Sequence, residues 1–239
     1  MSSELKVDRN ASPAEHDAPA HWEERSTQRV LDVGREQLLK RSRQIVDAAC
    51  ELLEKDGLEG LTIRAVLTKT GLSRRAFYER FADKDDLMLA VFEQAIRLAT
   101  ASYSEQVKHL DDPMERLKLI ITCIALGKSS LDAEDSELGN RRGAAMSREH
   151  LRLAEARGDD LQAALSPLLN LVAQELAEGM QVGKVRQADP QRLASLVYNL
   201  VATTVHTELL AHESAKPNRA HRLQLANDIW EFCRRAIVV

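Results

Sequence analysis

The chain is expected to be all-α, on three observations. Hydrophobic residues fill 44% of the 239 positions and aromatics only 4%, with Leu and Ala recurring and Gly and Pro sparse, a composition that favours helices. Apolar residues recur at helical spacing, as at Ile45, Ala48, Ala49, Leu52 and Leu53, which fall at i, i+3, i+4, i+7 and i+8. Ser, Thr, Asp and Gly punctuate these stretches where helices start and stop. Strands should be scarce.

Taken in order, Met1 to Ala20 holds Pro13, Pro19, Ser and acidic residues with few large apolar side chains, too little to offset the entropy of ordering. Residues 1–34 are therefore expected to be a largely disordered tail, although Val30, Leu31 and Val33 could extend the helix that follows. The helical signal sharpens at Arg35, and Gly57 should close helix one. Thr62 can cap a second helix through Lys69, Gly71 supplies a turn, and Ser73 caps a third helix to about Phe81. Asp83 should cap a long fourth helix, with Asp86 placed as in a capping box.

Further helices are expected over Asp112–Lys128, Met146–Arg157, Asp160–Val182, Pro190–His212 and Asn218–Val238. Pro113 and Pro190 stand at helix starts, where a missing N–H costs little. Pro167 should kink or break its helix, and Ser129–Gly143 should be a polar connection.

The net charge of −4 excludes a protein coated in basic surface, so charge distribution decides. From Thr62 to Lys84 the basic residues Arg64, Lys69, Arg74, Arg75, Arg80 and Lys84 face only Glu79 and Asp83. A locally positive module thus lies within an acidic chain. Cys50, Cys123 and Cys233 are odd in number and far apart, which suggests neither disulfides nor a CxxC metal site and fits a reducing cytoplasm. No apolar run approaches a membrane span, and the first residues lack a signal peptide's apolar middle; neither a membrane nor export is expected.

Two short helices clamped at a steep angle, the second offered to the major groove, make a helix-turn-helix. Val66, Leu67, Leu72, Phe77 and Phe81 can supply the clamp. Arg74, Arg75, Tyr78 and Arg80 would then lie outward on the third helix. An Arg fork matches guanine acceptors, and a Tyr hydroxyl can bond phosphate. Thr62, Ser73 and Lys84 stand at helix N-termini, which attract phosphate.

Residues Gly60–Lys84, GLTIRAVLTKTGLSRRAFYERFADK, with the DDLMLAVFE that follows, resemble the DNA-binding domain of the tetracycline-repressor (TetR) family. The resemblance rests on Gly60-Leu61-Thr62, Gly71-Leu72-Ser73, the pair Phe77 and Tyr78, then Phe81 and Lys84, and it covers about Arg35 to Glu93. It implies a DNA contact for Arg64 and phosphate contacts for Tyr78 and Lys84. Two positions depart from the family pattern: Leu67 stands where Ala is frequent, and Arg75 where Gly or a small residue is frequent. Arg75 could add a base contact or pair with Glu79 one turn on.

The resemblance further implies a helix-turn-helix DNA-binding domain over residues 35–82 and a helical ligand-binding and dimerisation domain over 83–239. A two-fold dimer also suits a near-palindromic operator in double-stranded DNA. The apolar stripes Leu193, Leu196, Val197, Leu200, Val201 and Val205, and Ala226, Ile229, Trp230, Cys233 and Ile237, are the candidate interface; the alternative is that they fill the protomer's own core. Polar residues in apolar runs, Thr122, Cys123, Asn170, Asn199, Thr203 and His206, are candidates to orient a ligand, or else satisfied core or interface groups. No nucleophile motif, phosphate-cradling Gly loop or metal-ligand spacing appears, and surface exposure accounts for His150, His206 and His212. The function expected is a dimeric regulator, most often a repressor, released from its operator by a small molecule. No enzyme, metal or cofactor is expected. The alternative is a helical protein-interaction module that does not bind DNA.

Overall fold

A computed structural model describes residues 21–127, 137–211 and 219–239. They form α1 (His21–Gly60), α2 (Ile63–Thr70), α3 (Arg74–Tyr78), α4 (Lys84–Val107), α5 (Pro113–Leu126), α6 (Glu137–Ala156), α7 (Gly158–Gln181), α8 (Pro190–Ala211) and α9 (Arg219–Ile237). The all-α expectation holds. Among the described residues the one β-bridge joins Val185 to Val238.

Two compact units divide at Arg43/Gln44, inside α1. In the first, the side chains from Ser26 to Arg43 are almost all exposed, Val30, Leu31, Val33, Leu38 and Leu39 included. Residues 1–20 of the expected tail lie outside the described residues. From His21 the chain is helical, so helix one starts upstream of Arg35. The stretch from Trp22 to Arg35 contains no Pro, and its single Gly34 costs too little to end a helix. Gly57 does interrupt α1: its φ of 71° lies in the left-handed region open to glycine.

In the second unit the buried apolar side chains form two clusters. One gathers Ile45, Ala49 and Leu53 of α1 with Leu61, Val66, Phe77, Phe81, Leu87, Met88 and Val91. The other is built from α4 to α9 around Leu117, Ile120, Leu168, Leu176, Val201 and Trp230. The α4 helix contributes to both, because its first turns bury Leu87 and Met88 in the small cluster and its last turns bury Tyr103 and Val107 in the large one.

Helix starts follow the cap residues. Asp112 Oδ1 accepts from Met114 N–H at 2.8 Å, with Pro113 at the first helical position. Asp189 Oδ1 accepts from Gln191 N–H at 2.9 Å ahead of Pro190. Two expectations are corrected. The polar connection expected over Ser129–Gly143 is helical from Glu137 on, and its remainder lies outside the described residues, as do His212 and Asn218. Pro167 does not break α7. A proline there leaves the carbonyl of Ala163 without its usual partner, and the Ser166 hydroxyl donates to that oxygen at 2.8 Å.

Within the large cluster Arg116 is buried and pairs with buried Glu175 and with Glu178, and its Nη1 donates to the carbonyls of Leu110 and Asp111 at 3.0 Å each. This locks α5 to α7. None of the described helices is long and apolar enough to cross a membrane.

Candidate DNA interface

The small cluster is a scaffold for two capped helices. Thr62 Oγ1 accepts from Ala65 N–H at 3.1 Å, which starts α2, and Gly71, at φ 69°, ends it. Only glycine adopts that conformation without strain, so the chain turns there. Ser73 Oγ then accepts from Ala76 N–H at 3.2 Å and starts α3. Val66, Phe77 and Phe81 are buried between them, with Leu67 and Leu72 half-buried against the same cluster. Leu67, where the family favours a smaller residue, is accommodated at the edge of the clamp. Gln44 Nε2 donates to the Thr70 carbonyl at 3.1 Å and Lys69 pairs with Glu51 at 2.7 Å, which brace α2 on α1.

A five-residue α3 turns each side chain in a fixed direction. Phe77 faces the core and meets Tyr78 edge-on at 5.3 Å. Tyr78 is 52% exposed, and Ser73, Arg74 and Arg75 are exposed with it. Thr62 and Arg64 line a shallow groove with Leu52, Ala65, Thr68 and Lys69. Lys84 is exposed at the first position of α4, whose cap is Asp83: its Oδ1 accepts from Asp86 N–H at 2.8 Å. Asp86 Oδ2 in turn accepts from Ala82 N–H at 3.1 Å. That bond goes one residue beyond the cap's own N–H, so the capping box is offset.

Seven of the eight candidate DNA residues are thus exposed: Thr62, Arg64, Ser73, Arg74, Arg75, Tyr78 and Lys84. Arg80 is the correction. Because α3 ends at Tyr78, the helical period no longer applies at position 80. The Arg80 side chain is only 5% exposed, its Nη1 donating to the Ala76 carbonyl and lying 3.4 Å from Glu79 Oε2. Arg75 takes the second of its two open readings in this structure: its Nε sits 3.0 Å from Glu79 Oε1. Arg75, and secondarily Arg80, hold the Glu79 carboxyl below the usual range. Arg64, Arg74 and Lys84 form no ion pair among the described residues. These are the cations left for a polyanion.

The other candidates divide differently. Of the polar residues proposed to orient a ligand, Cys123 is buried in the large cluster, and Thr122 and His206 are half-buried. Asn170, Asn199 and Thr203 are exposed, and Asn170 Oδ1 accepts from Gln191 Nε2 at 3.0 Å, a surface link between α7 and α8. Asn199 and Thr203, one turn apart on α8, share a face that points away from the core. His150 and His206 are half-buried, not surface residues. The His150 ring lies between Phe92 at 5.9 Å and Tyr198 at 5.6 Å, with Tyr198 Oη 3.4 Å from its Nδ1. Burial, and secondarily His206, lowers the His150 pKa. His206 Nδ1 is 3.4 Å from Ser147 Oγ. Burial also raises the phenols of Tyr103 and Tyr198, with Cys123 and Tyr198 adding to the effect at Tyr103. Tyr103, Ser147, His150 and Tyr198 therefore make a polar group inside the apolar bundle that sequence reasoning missed; the only signal was their helical phase toward the apolar stripe.

Of the interface candidates, Leu193, Val197, Val201, Ala226, Ile229, Trp230, Cys233 and Ile237 are buried in the protomer itself. Side chains already packed offer nothing to a second copy, so this part of the expectation is corrected. Leu196 is 59% exposed, Leu200 and Val205 are half-buried, and Phe232 is 63% exposed on α9.

Residues 45–91 match the family model of bacterial regulatory proteins, tetR family. The chain is 24% identical over 165 residues to the fatty acid metabolism regulator protein of Bacillus subtilis (strain 168), across 69% of this chain and 81% of that one. Its fold is similar to FadR of Bacillus subtilis in complex with stearoyl-CoA, with a TM-score of 0.53 and 19% identity over 80% of this chain and 96% of that chain. It is similar also to RolR in complex with resorcinol, with a TM-score of 0.62 and 15% identity over 84% of this chain and 94% of that chain.

Proposed function

We propose that the chain, whose residues 45–91 match the family model of bacterial regulatory proteins, tetR family, is a transcriptional regulator that acts as a cytoplasmic homodimer, represses from a near-palindromic operator and leaves it when a small molecule binds the α4–α9 bundle. The observation that carries the reading is the exposed, unpaired set Arg64, Arg74 and Lys84 around Tyr78 on a small rigid core. Arg74 is the base reader, with a planar fork free for guanine, while Tyr78 and Lys84 bind phosphate. Arg75 is tied to Glu79 and contributes to positioning. A single five-residue helix gives little contact, so two heads about 34 Å apart, or a multiple, are needed.

Leu196 and Phe232 are the apolar anchors of the dimer, each exposed on a helix otherwise packed into the core. The half-buried Leu200 lies one turn after Leu196 on the same side of α8. The ligand is largely apolar, in keeping with the Leu, Ile and Val of the bundle, and takes its orientation from Tyr103, His150 and Tyr198. Ligand binding tilts α4, which spans both clusters.

A gel shift against DNA upstream of the protein's own gene, at two salt concentrations, tests the reading. A retarded complex that weakens steeply with salt is expected. No shift, or one indifferent to salt, would leave a helical protein-interaction module. Sedimentation of Leu196→Asp and Phe232→Asp should report monomers where the parent is a dimer.

A further inference from the structure

Two arginines outside the small core reach the start of α4. Arg152 of α6 places Nη1 2.8 Å from Asp85 Oδ2, and its Nε donates to Glu149 Oε2 at 2.8 Å. Arg157, in the break between α6 and α7, places Nη1 3.0 Å from Asp86 Oδ1 and Nε 2.8 Å from Asp160 Oδ2. Asp85 and Asp86 directly follow Lys84. Carboxylates in a first helical turn suit the helix dipole, yet beside a phosphate contact they repel the DNA. Both are partly exposed, so neither is removed from that field by burial.

We infer that Arg152 and Arg157 are positioning residues of the DNA site: shared with Glu149 and Asp160, they offset part of the negative charge of Asp85 and Asp86, so that Lys84 and the N-terminus of α4 meet the backbone with less repulsion. The inference rests on the reading of Lys84 as a phosphate contact. It also identifies a route from the bundle to the head. Any shift of α6 that withdraws these arginines leaves two bare carboxylates beside the DNA, without any change inside α2 or α3. Sequence separation hides the device, since the partners lie 71 residues apart at Asp86 and Arg157.

The test uses the full-length protein and the tightest duplex it selects from a randomised DNA pool. If the wild-type chain selects none, the proposed function fails and the charge device with it. With a duplex in hand, Arg152→Ala should bind about tenfold more weakly at low salt, a gap that narrows as salt screens the exposed carboxylate. Arg152→Lys, which keeps the charge, should retain most of the affinity, and a thermal melt of each variant checks that it folds. Asp85→Asn alone should bind at least as tightly as wild type. Added to Arg152→Ala, it should restore binding to within about twofold. A mechanical brace gives the opposite pattern: Asp85→Asn would weaken binding as Arg152→Ala does, and the double variant would not recover. That result, or full affinity in Arg152→Ala, overturns the inference.

Discussion

The small core around Phe77 and the large bundle from α4 to α9 use polar residues in opposite ways. In the first, the groups offered to DNA are exposed and the buried residues of the cluster are apolar, Ile45, Leu53, Leu61, Val66, Phe77 and Leu87 among them, with the Arg80 side chain folded in at the edge. In the second, polar groups sit inside, with Arg116 on Glu175, and with His150 between Phe92 and Tyr198. A rigid apolar core suits a head that must present fixed donors to DNA. Interior polar groups suit a region that must distinguish one molecule from another, because a buried polar atom left unpaired is costly.

The contrast can be broken most forcefully at Arg116. Arg116→Ala strands the buried Glu175 carboxylate and should lower stability by about 3–5 kcal/mol; Arg116→Met with Glu175→Leu should recover most of it. Urea unfolding measures both. If the single variant loses less than about 1 kcal/mol, the interior pair is not structural and the bundle's polar groups must be weighed differently.

In the head the matching change should cost no stability and much binding. Arg74→Ala is expected to lose about 1–3 kcal/mol on the operator and to relax preference at one base position per half-site, with an unchanged melting temperature. Selection from a randomised library reads this out. Uniform loss across all sequences would reassign Arg74 to phosphate and make Arg75, freed from Glu79, the reader.

A smaller effect is expected at the phosphate contacts. Tyr78→Phe and Lys84→Ala should weaken binding to every sequence about equally, and Lys84→Ala should flatten the salt slope by about 0.9. A slope that stays put would take Lys84 off the backbone.

The smallest effect is one of pH. Burial lowers the His150 pKa in the folded chain, so the unfolded chain binds its proton first as pH falls. The contribution of neutral His150 is complete above the ordinary histidine value of about 6.5 and is lost as pH drops through that value toward the lower folded one. Thermal melts from pH 7.5 down to pH 5 should show destabilisation that His150→Gln reduces. The head, which holds no histidine between residues 44 and 91, should show no such dependence when DNA binding is followed instead. Equal pH slopes for wild type and His150→Gln would place His150 in water.

The same contrast explains what was readable in advance. Thr62, Ser73, Asp83 and Asp112 each accept from an N–H within three residues, and Gly71 turns the chain by its own φ. Such bonds are closed locally, so spacing alone locates them. The outward run Arg74, Arg75 and Tyr78 follows from the same logic over five residues. It fails at Arg80, one step past the end of α3, where the chain leaves the helical period and the side chain folds inward.

The amino-acid sequence by itself determined the helices, their caps, the clamp of the reading head and the exposed cations on it, because each depends on neighbours a few residues away. Only the tertiary structure decided which face of a helix is inside. Periodicity groups Leu193, Val197 and Val201 as surely as it groups Asn199 with Thr203, but it cannot say which stripe meets another helix of the same chain. The packing of α5 against both α7 and α9 fills the core with Ile229, Trp230 and Cys233, while Leu196 and Phe232 face outward. The ion pairs of Arg152 and Arg157 belong to that second class: they join residues far apart in the chain, and only folding brings their charges within reach.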